Sequence, residues 1–458
     1  MSAAAGPPRE DGLGWLGIFR VGLVNMALGS IVIQPFTTFN QAMIEELGML
    51  AMLPGFLGAL YYLIQLSRPR IGHGLDEGGR RTPWMIGGIG VLGIGGITGA
   101  GAIVVMETMP TAGIALALLG YFLIGAGSAT TGTALLTFLA SRVQPHLRSI
   151  AAMVVWPMMI LGFAVTGGVV GALLDPFSTE RLFIIVTVVC LIAFTVTNLA
   201  LFRLEGPAQG RPADGGGQST AQASFVATLR EVWQDDKARR FTVFVFASML
   251  AYNAHEAIIE PFARQAFELT AGEATQLGGM YLYMGVLCGM FIAGIAGRIF
   301  SGWLGALWTW AIGGCIASGA ALGALGIGSF VDEMWPLRTS VFFVGLANGA
   351  FTVAAIGLMM RLANESARTR SGIRIGLWGA AQAIAFGIGI FLGTAGVDAF
   401  RYLLDMETFG YNVVFTLAAA LFLVAGWLAF RVFLLDRQPA EPQATSPDPA
   451  VHRSGSSS

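Results

Sequence analysis

Twelve apolar stretches, each close to twenty residues long, constrain this chain more than any motif in it. Taking about 20 apolar residues as one membrane crossing, spans are expected near residues 13–35, 47–66, 84–106, 112–136, 150–173 and 182–202, then 240–260, 276–296, 304–328, 338–360, 375–397 and 411–432. In lipid each backbone N–H and C=O must find its partner inside the segment, so stretches of this length fold as helices. Of the 458 residues 55% are hydrophobic and 12% charged, with mean hydropathy +0.69. Soluble domains carry about twice that share of charge, so a soluble class is excluded. The 63 glycines suit helices that approach closely where lipid offers no hydrophobic drive to associate.

The crossings fall into two groups, giving an N-terminal half over 13–204 and a C-terminal half over 240–432. Residues 205–239 between them carry Gly-Pro, Gly-Arg-Pro and Gly-Gly-Gly and then an amphipathic run from Phe225 to Lys237, which reads as a linker with one interfacial helix. Residues 1–12 form a short polar N-terminus with no signal peptide expected before the first span, and the Pro, Ser and Ala-rich tail over 433–458 is expected to be disordered. Loops on one side hold Arg181, Arg264, Arg338 and Arg401, only four of the 26 basic residues, so both termini are expected on the cytoplasmic side. Net charge of −1 says little about partners, because these charges act by position; the lipid bilayer is the expected partner and nucleic acid is not.

Between the second and third spans the chain reads Gly-His-Gly-Leu-Asp-Glu-Gly-Gly-Arg-Arg from Gly72 to Arg81. This loop resembles the signature loop of the major facilitator superfamily, which implies a twelve-helix all-α fold in two six-helix halves. In that family the aspartate and arginines form a charge relay that caps neighbouring helix ends, so Gly72, Asp76, Gly79, Arg80 and Arg81 are expected as a gating loop. Glu77 departs from the pattern, where the family usually has a basic residue. A degenerate repeat supports the two halves: Ala140, Ser141, Arg142, Pro145, Arg148 and Trp156 follow the fourth span, and Ala363, Asn364, Glu365, Arg368, Arg374 and Trp378 follow the tenth at similar offsets. Gly297 and Arg298 stand where a second signature loop belongs, without its aspartate.

Ionisable groups inside a membrane are costly and commonly functional, and the seventh span holds Asn253, His255, Glu256 and Glu260 before Pro261. On a continuous helix Asn253, Glu256 and Glu260 share a face at i, i+3 and i+7, with His255 about 100° away from Glu256. Three readings compete. Glu256 and His255 could relay protons in a coupled transporter. His255, alone among the histidines inside a span, could ligate the magnesium of a chlorophyll-type pigment. The whole cluster could instead hydrogen-bond across helices.

Asn25, Gln34 and Asn40, with Gln41 beyond, are candidates for a central cavity, and interhelical bonding is their alternative. Arg20 is expected to snorkel to the headgroups. Trp84, Trp303, Trp308, Trp310, Trp335 and Trp427 read as an interfacial belt, and Cys190, Cys288 and Cys315 as packing residues without metal or redox spacing. No nucleotide-binding loop, nucleophile elbow or Cys/His metal spacing points to catalysis.

The run Ser67-Arg68-Pro69-Arg70-Ile71-Gly72-His73, continued by Asp76 and by Gly78-Gly79-Arg80-Arg81-Thr82-Pro83-Trp84, resembles the PucC or bacteriochlorophyll delivery family of purple phototrophic bacteria. So do Glu260-Pro261-Phe262, Trp378-Gly379-Ala380-Ala381-Gln382, and Asn40 with Met43 to Gly48. The resemblance implies a multi-pass protein of a bacterial inner or intracytoplasmic photosynthetic membrane that acts with light-harvesting antenna polypeptides and handles bacteriochlorophyll as cargo. One branch of that family is labelled a bacteriochlorophyll synthase chain. Prenyl transfer would need aspartate-rich magnesium-diphosphate sites, which the Asp/Glu spacing here does not offer, so no enzyme is expected. A proton-coupled carrier and a purely structural assembly factor remain as alternatives.

Overall fold

The computed structural model describes residues 13–68, 70–71, 80–144, 148–205, 233–234, 236–300, 302–303, 305–331, 335–364, 371–404 and 408–436. Within them the chain is almost wholly helical. The N-terminal half contributes α1 (Trp15–Phe36), α2 (Met52–Gln65), α3 (Thr82–Met106), α4 (Pro110–Arg142), α5 (Arg148–Leu174) and α6 (Thr179–Leu201). The C-terminal half contributes α7 (Asp236–Glu256), α8 (Leu282–Ile299), α9 (Leu307–Val331), α10 (Leu337–Asn364), α11 (Ser371–Leu404) and α12 (Phe409–Asp436). Ten helices among the described residues are long and apolar enough to cross a membrane. The bent pair Asp236–Glu256 and Ile259–Phe267 reaches that length if taken as one span, and α2 is a shorter apolar helix of 14 residues. The Phe225 to Lys237 helix and the tail lie almost entirely outside the described residues, apart from residues 233, 234, 236 and 237 and the end of α12.

Several spans differ from their expected bounds, and in three the local reason is visible. The first does not stop near residue 35 but continues through Thr38–Gln41 and a π-helical turn at Ala42–Glu46, ending at Gly48 with φ +61°. The seventh begins at Asp236, whose carboxylate in the first turn pairs with Arg239 and Arg240 along the helix. The eighth starts early, at Ala271, because Thr270 and Glu273 form a capping box, and it passes through π-helical Gln276–Tyr281 before α8.

Helix pairs close on glycine. Gly285 and Gly289 of α8 face Gly345 and Gly349 of α10, and a Cβ at any of them would run into the backbone of the other helix. The contact depends on backbones touching, as in small-xxx-small packing. Asn25 ties α1 to α5 by donating to the Val155 carbonyl at 2.9 Å.

All four expected one-side arginines lie at a single end of the bundle, here the far end: Arg181 and Arg338 in first helical turns, Arg264 and Arg401 in last ones. Bonds between the halves gather at that same end. Asp398 of α11 accepts from the N–H groups of Ala51 and Met52, at 3.0 and 2.7 Å, at the start of α2. Arg264 pairs with Glu46 at 2.5 Å, and Gln265 donates to Glu45 at 2.9 Å. Asp175 accepts from the Thr270 hydroxyl at 2.6 Å and the Gly272 N–H at 2.9 Å. Beneath them Gly167 of α5 meets Gly279 backbone to backbone. The conformation is therefore sealed at the far end.

Replacing Gly345 by Leu should force α8 and α10 apart and cost at least about 1–3 kcal/mol, the range for overpacking. Gly323→Leu, facing open space on α9, should be tolerated. Thermal unfolding of the two variants in detergent micelles checks this: equal losses would mean that the glycine contact does not hold the pair.

Candidate functional site

The polar cluster of the seventh span sits on a break. α7 ends at Glu256, Ala257 and Ile258 form a turn, and the helix resumes at Ile259 with a 40° bend. Pro261 supplies the cause. It has no N–H to give the carbonyl four residues back, so the Ala257 oxygen loses its helical partner. Asn40 fills that vacancy from the other half, donating its Nδ2 to the Ala257 oxygen. The continuous helix expected to carry Asn253, Glu256 and Glu260 is thereby interrupted, with Glu260 on the second segment.

Each of the four residues has its own surroundings. Asn253 donates to the Phe386 carbonyl of α11 at 2.7 Å. His255, 1% exposed, uses both ring nitrogens: Nδ1 lies 2.8 Å from the Ala251 carbonyl and Nε2 3.2 Å from Asn348 Nδ2 of α10. With Nδ1 as donor, Nε2 accepts from Asn348, and an axial bond to magnesium would have to displace that amide. Glu256 accepts from the Tyr283 hydroxyl of α8. Glu260, 2% exposed, rests against Gly278, and neither carboxylate oxygen has a hydrogen-bond partner.

Around Glu256 aromatic rings from both halves meet. Tyr62 of α2 stands 5.3 Å from Phe386 of α11 and 5.6 Å from Phe36 of α1, while Tyr252 lies 6.0 Å from the same Phe386. On the other flank Phe163 of α5 meets Tyr283 of α8 at 4.8 Å with an edge-on tilt of 64°. Such offset and edge-on pairs are the favoured aromatic geometries. The seam between halves is thus apolar and flat-sided, with one carboxylate at its centre. Tyr62, Tyr283, Phe163 and Phe386 had no sequence signal beyond aromaticity, because ring pairing across helices depends on the register of two halves.

Of the cavity candidates, Asn25 is spent inside the N-terminal half on Val155. Gln34 is fully buried and donates to Ser30 in its own helix at 3.2 Å, its oxygen left without a partner. Asn40 and Gln41 bond across the halves, Gln41 to the Ala271 carbonyl at 3.0 Å. Arg20 does not reach for headgroups as expected; it donates to the Ala200 and Phe202 carbonyls at the end of α6, whose last carbonyls lack helical partners. Trp308 likewise leaves the expected belt, being 4% exposed with its indole N–H on Asp436 at 2.9 Å. The paired tryptophans of the repeat differ too, Trp378 being buried on Thr242 at 3.0 Å and Trp156 exposed.

Gly72, Asp76 and Gly79 of the gating loop lie outside the described residues; Arg80 and Arg81 lie within them. The group that organises this corner is Glu205, read in sequence as the first linker residue. Its carboxylate accepts from the Arg81 N–H at 2.9 Å and the Thr82 N–H at 2.8 Å, at the start of α3, with the Arg80 guanidinium 4.0 Å away. Burial pushes its carboxyl upward in pKa, but the Arg81 and Thr82 donors outweigh that and hold it below the ordinary carboxylate value. A carboxylate just past a span, facing a helix N-terminus, was the available clue.

A sequence model of the PUCC protein family matches residues 38–436. The chain belongs to that family. A "Bacteriochlorophyll synthase 44.5 kDa chain" of Rhodobacter capsulatus is 43% identical over 419 residues, covering 91% of this chain and 95% of the relative. A "Protein PucC" of the same organism is 27% identical, covering 92% of each chain. Among solved structures, a bacterial homologue of the human lysosomal transporter Spinster, inward-facing and unoccupied, superposes with TM-score 0.67 at 15% identity, covering 95% of this chain and 100% of that one. A D-xylose-proton symporter superposes with TM-score 0.66 at 12% identity, covering 91% and 98%. The PUCC chain therefore has the twelve-helix, two-half fold of major facilitator transporters.

Glu205→Gln should weaken the cap on α3 by about 1–2 kcal/mol, the worth of charge-assisted bonds at a helix N-terminus. Because the folded carboxyl is held below its unfolded value, this contribution should be complete above about pH 5 and fade as pH falls through the folded value. Hydrogen exchange of the first turn of α3, followed against pH in wild type and variant, should show the pH dependence in wild type alone.

Proposed function

We propose that this PUCC-family protein handles bacteriochlorophyll-type pigment during assembly of light-harvesting antenna complexes, as a membrane carrier or chaperone without catalysis. Its close similarity to a chain named for bacteriochlorophyll synthesis supports the class of cargo. One structural observation carries the reading: aromatic rings from both halves line the seam at Tyr62–Phe386 and Phe163–Tyr283. A planar, largely apolar macrocycle stacks on such faces, and the Tyr hydroxyls offer bonds to its carbonyl groups. The seam opens to neither water nor lipid at the far end, so cargo would enter from the near end or sideways between helices. We place the near end on the cytoplasmic side, since most basic residues belong there.

The non-catalytic part of the reading rests on the PucC relatives and on the fold shared with transporters. Because His255 is engaged on both nitrogens, we place the pigment against the aromatic seam, with His255 as an axial ligand only if Asn348 releases it.

One observation favours a second reading, a proton-coupled carrier: Glu256 is a carboxylate held by Tyr283 within this seam. Proteoliposomes should then show cargo-dependent proton uptake that Glu256→Gln abolishes.

Protein purified from a pigment-making host should carry a bacteriochlorophyll absorption band, and the Tyr62→Ala, Phe386→Ala pair should reduce its pigment content severalfold. His255→Ala separates the two placements, since a stacked pigment survives it and an axially held one does not. A pigment-free wild-type protein would overturn the pigment reading.

A further inference from the structure

We propose that Glu260 is a proton-binding site whose acid form seals the far end of the bundle. The pigment reading is not needed for this. Glu260 is 2% exposed, and neither of its oxygens accepts a hydrogen bond. An ionised carboxylate placed so, within a membrane protein and without donor or cation, is strongly disfavoured. A neutral acid is not, and it adds one O–H donor to a seam that lacks donors.

The surroundings support the acid form. Ile259–Phe267 packs against Ala271–Thr275, Gln276–Tyr281 and Ala42–Glu46. The charged and titratable groups on these segments are Glu273, Tyr281, Glu45, Glu46 and, on its own segment, Arg264. Glu256 precedes the break, with Tyr252, Tyr62 and Tyr283 around it; Tyr411 stands on α12, Arg401 and Asp398 on α11, and Asp175 meets Thr270 and Gly272. Two cations at this end are paired with other carboxylates, Arg264 with Glu46 and Arg338 with Glu273. Three further acceptors at this seam, Asn40 Oδ1, Gln41 Oε1 and Gln265 Oε1, also lack donors. The deficit is of hydrogens, not of acceptors.

Position couples the proton to the seal. Glu260 lies three residues beyond the Ala257 carbonyl that Asn40 binds from the other half, and four before Arg264, which pairs with Glu46. Gly278, against which the carboxyl rests, adjoins Gly279, the residue that meets Gly167 across the halves. Opening the seam would wet Glu260, which then releases its proton to solvent water; sealing requires taking one back. The sealed state binds the proton more tightly, so the ratio of sealed to open protein rises as pH falls, by up to about tenfold per pH unit between the two proton affinities.

The test uses the full chain in lipid nanodiscs, with Cys288 replaced by Ala and spin labels at Met109→Cys and Tyr402→Cys, exposed far-end sites in opposite halves. Distance distributions are measured between about pH 5 and about pH 9, a range that spans raised carboxyl affinities. Wild type should move from one short distance to a longer one as pH rises, while Glu260→Gln, the neutral isostere, should stay short throughout, and Glu256→Gln should still respond. No shift in wild type, or an undiminished shift in Glu260→Gln, overturns the proposal. So does a shift driven by replacing sodium with choline at constant pH, which would assign the seam to a metal cation.

Discussion

The structure depends on one rule of the bilayer, that a backbone carbonyl within it must have a donor. Pro261 breaks that rule locally by withholding an N–H from Ala257, and the repair comes from Asn40 on the opposite half. A break inside one span thus becomes a bond between two bundles. The bend puts Glu260 on the segment whose Arg264 and Gln265 reach Glu46 and Glu45 across the halves. Neither half satisfies this carbonyl alone, so the seal at the far end is a product of chain chemistry as much as of shape.

The near end is organised by a different device used in each half. Glu205, just after α6, accepts from the first N–H groups of α3; Asp436, at the end of α12, accepts from Trp308 at the start of α9 and also holds Lys237 at 2.5 Å and Arg361. In both halves a carboxylate at the end of the last helix fastens the beginning of the third. The internal repeat seen in sequence after Ala140 and after Ala363 therefore has a counterpart that no motif comparison exposed. Glutamate and aspartate differ in length, and one meets backbone while the other meets an indole, so the chemistry is preserved where the residues are not.

The fold was legible because membrane helices are written in length and hydropathy, which need no partner to be read. Long apolar helices fill the described residues, ten of them of membrane-crossing length, and Arg181, Arg264, Arg338 and Arg401 share one end of the bundle. What failed depended on partners. The face shared by Asn253, Glu256 and Glu260 presumed an unbroken helix, although Pro261 stood in the same stretch. Arg20 and Trp308 were assigned to the lipid interface from their distance along a span, yet each had an acceptor waiting on a helix far away in sequence. Asn25 was a polar group in the right span on the wrong side, since only packing decides whether a helix face looks at a seam or at a neighbour.

The two carboxylates of the seventh span show why proximity in sequence misleads about chemistry. Glu256 has a phenol donor and sits among rings from both halves, an environment that can keep a charge or a hydrogen bond in play. Glu260 has no hydrogen-bond donor and rests against Gly278, next to the glycine at which the halves meet backbone to backbone. The proposed cargo seam and the proposed proton site therefore lie on adjacent turns and draw on different groups. Between them lies the helix break, a turn at Ala257 and Ile258 with a 40° bend, which puts each on its own helical segment.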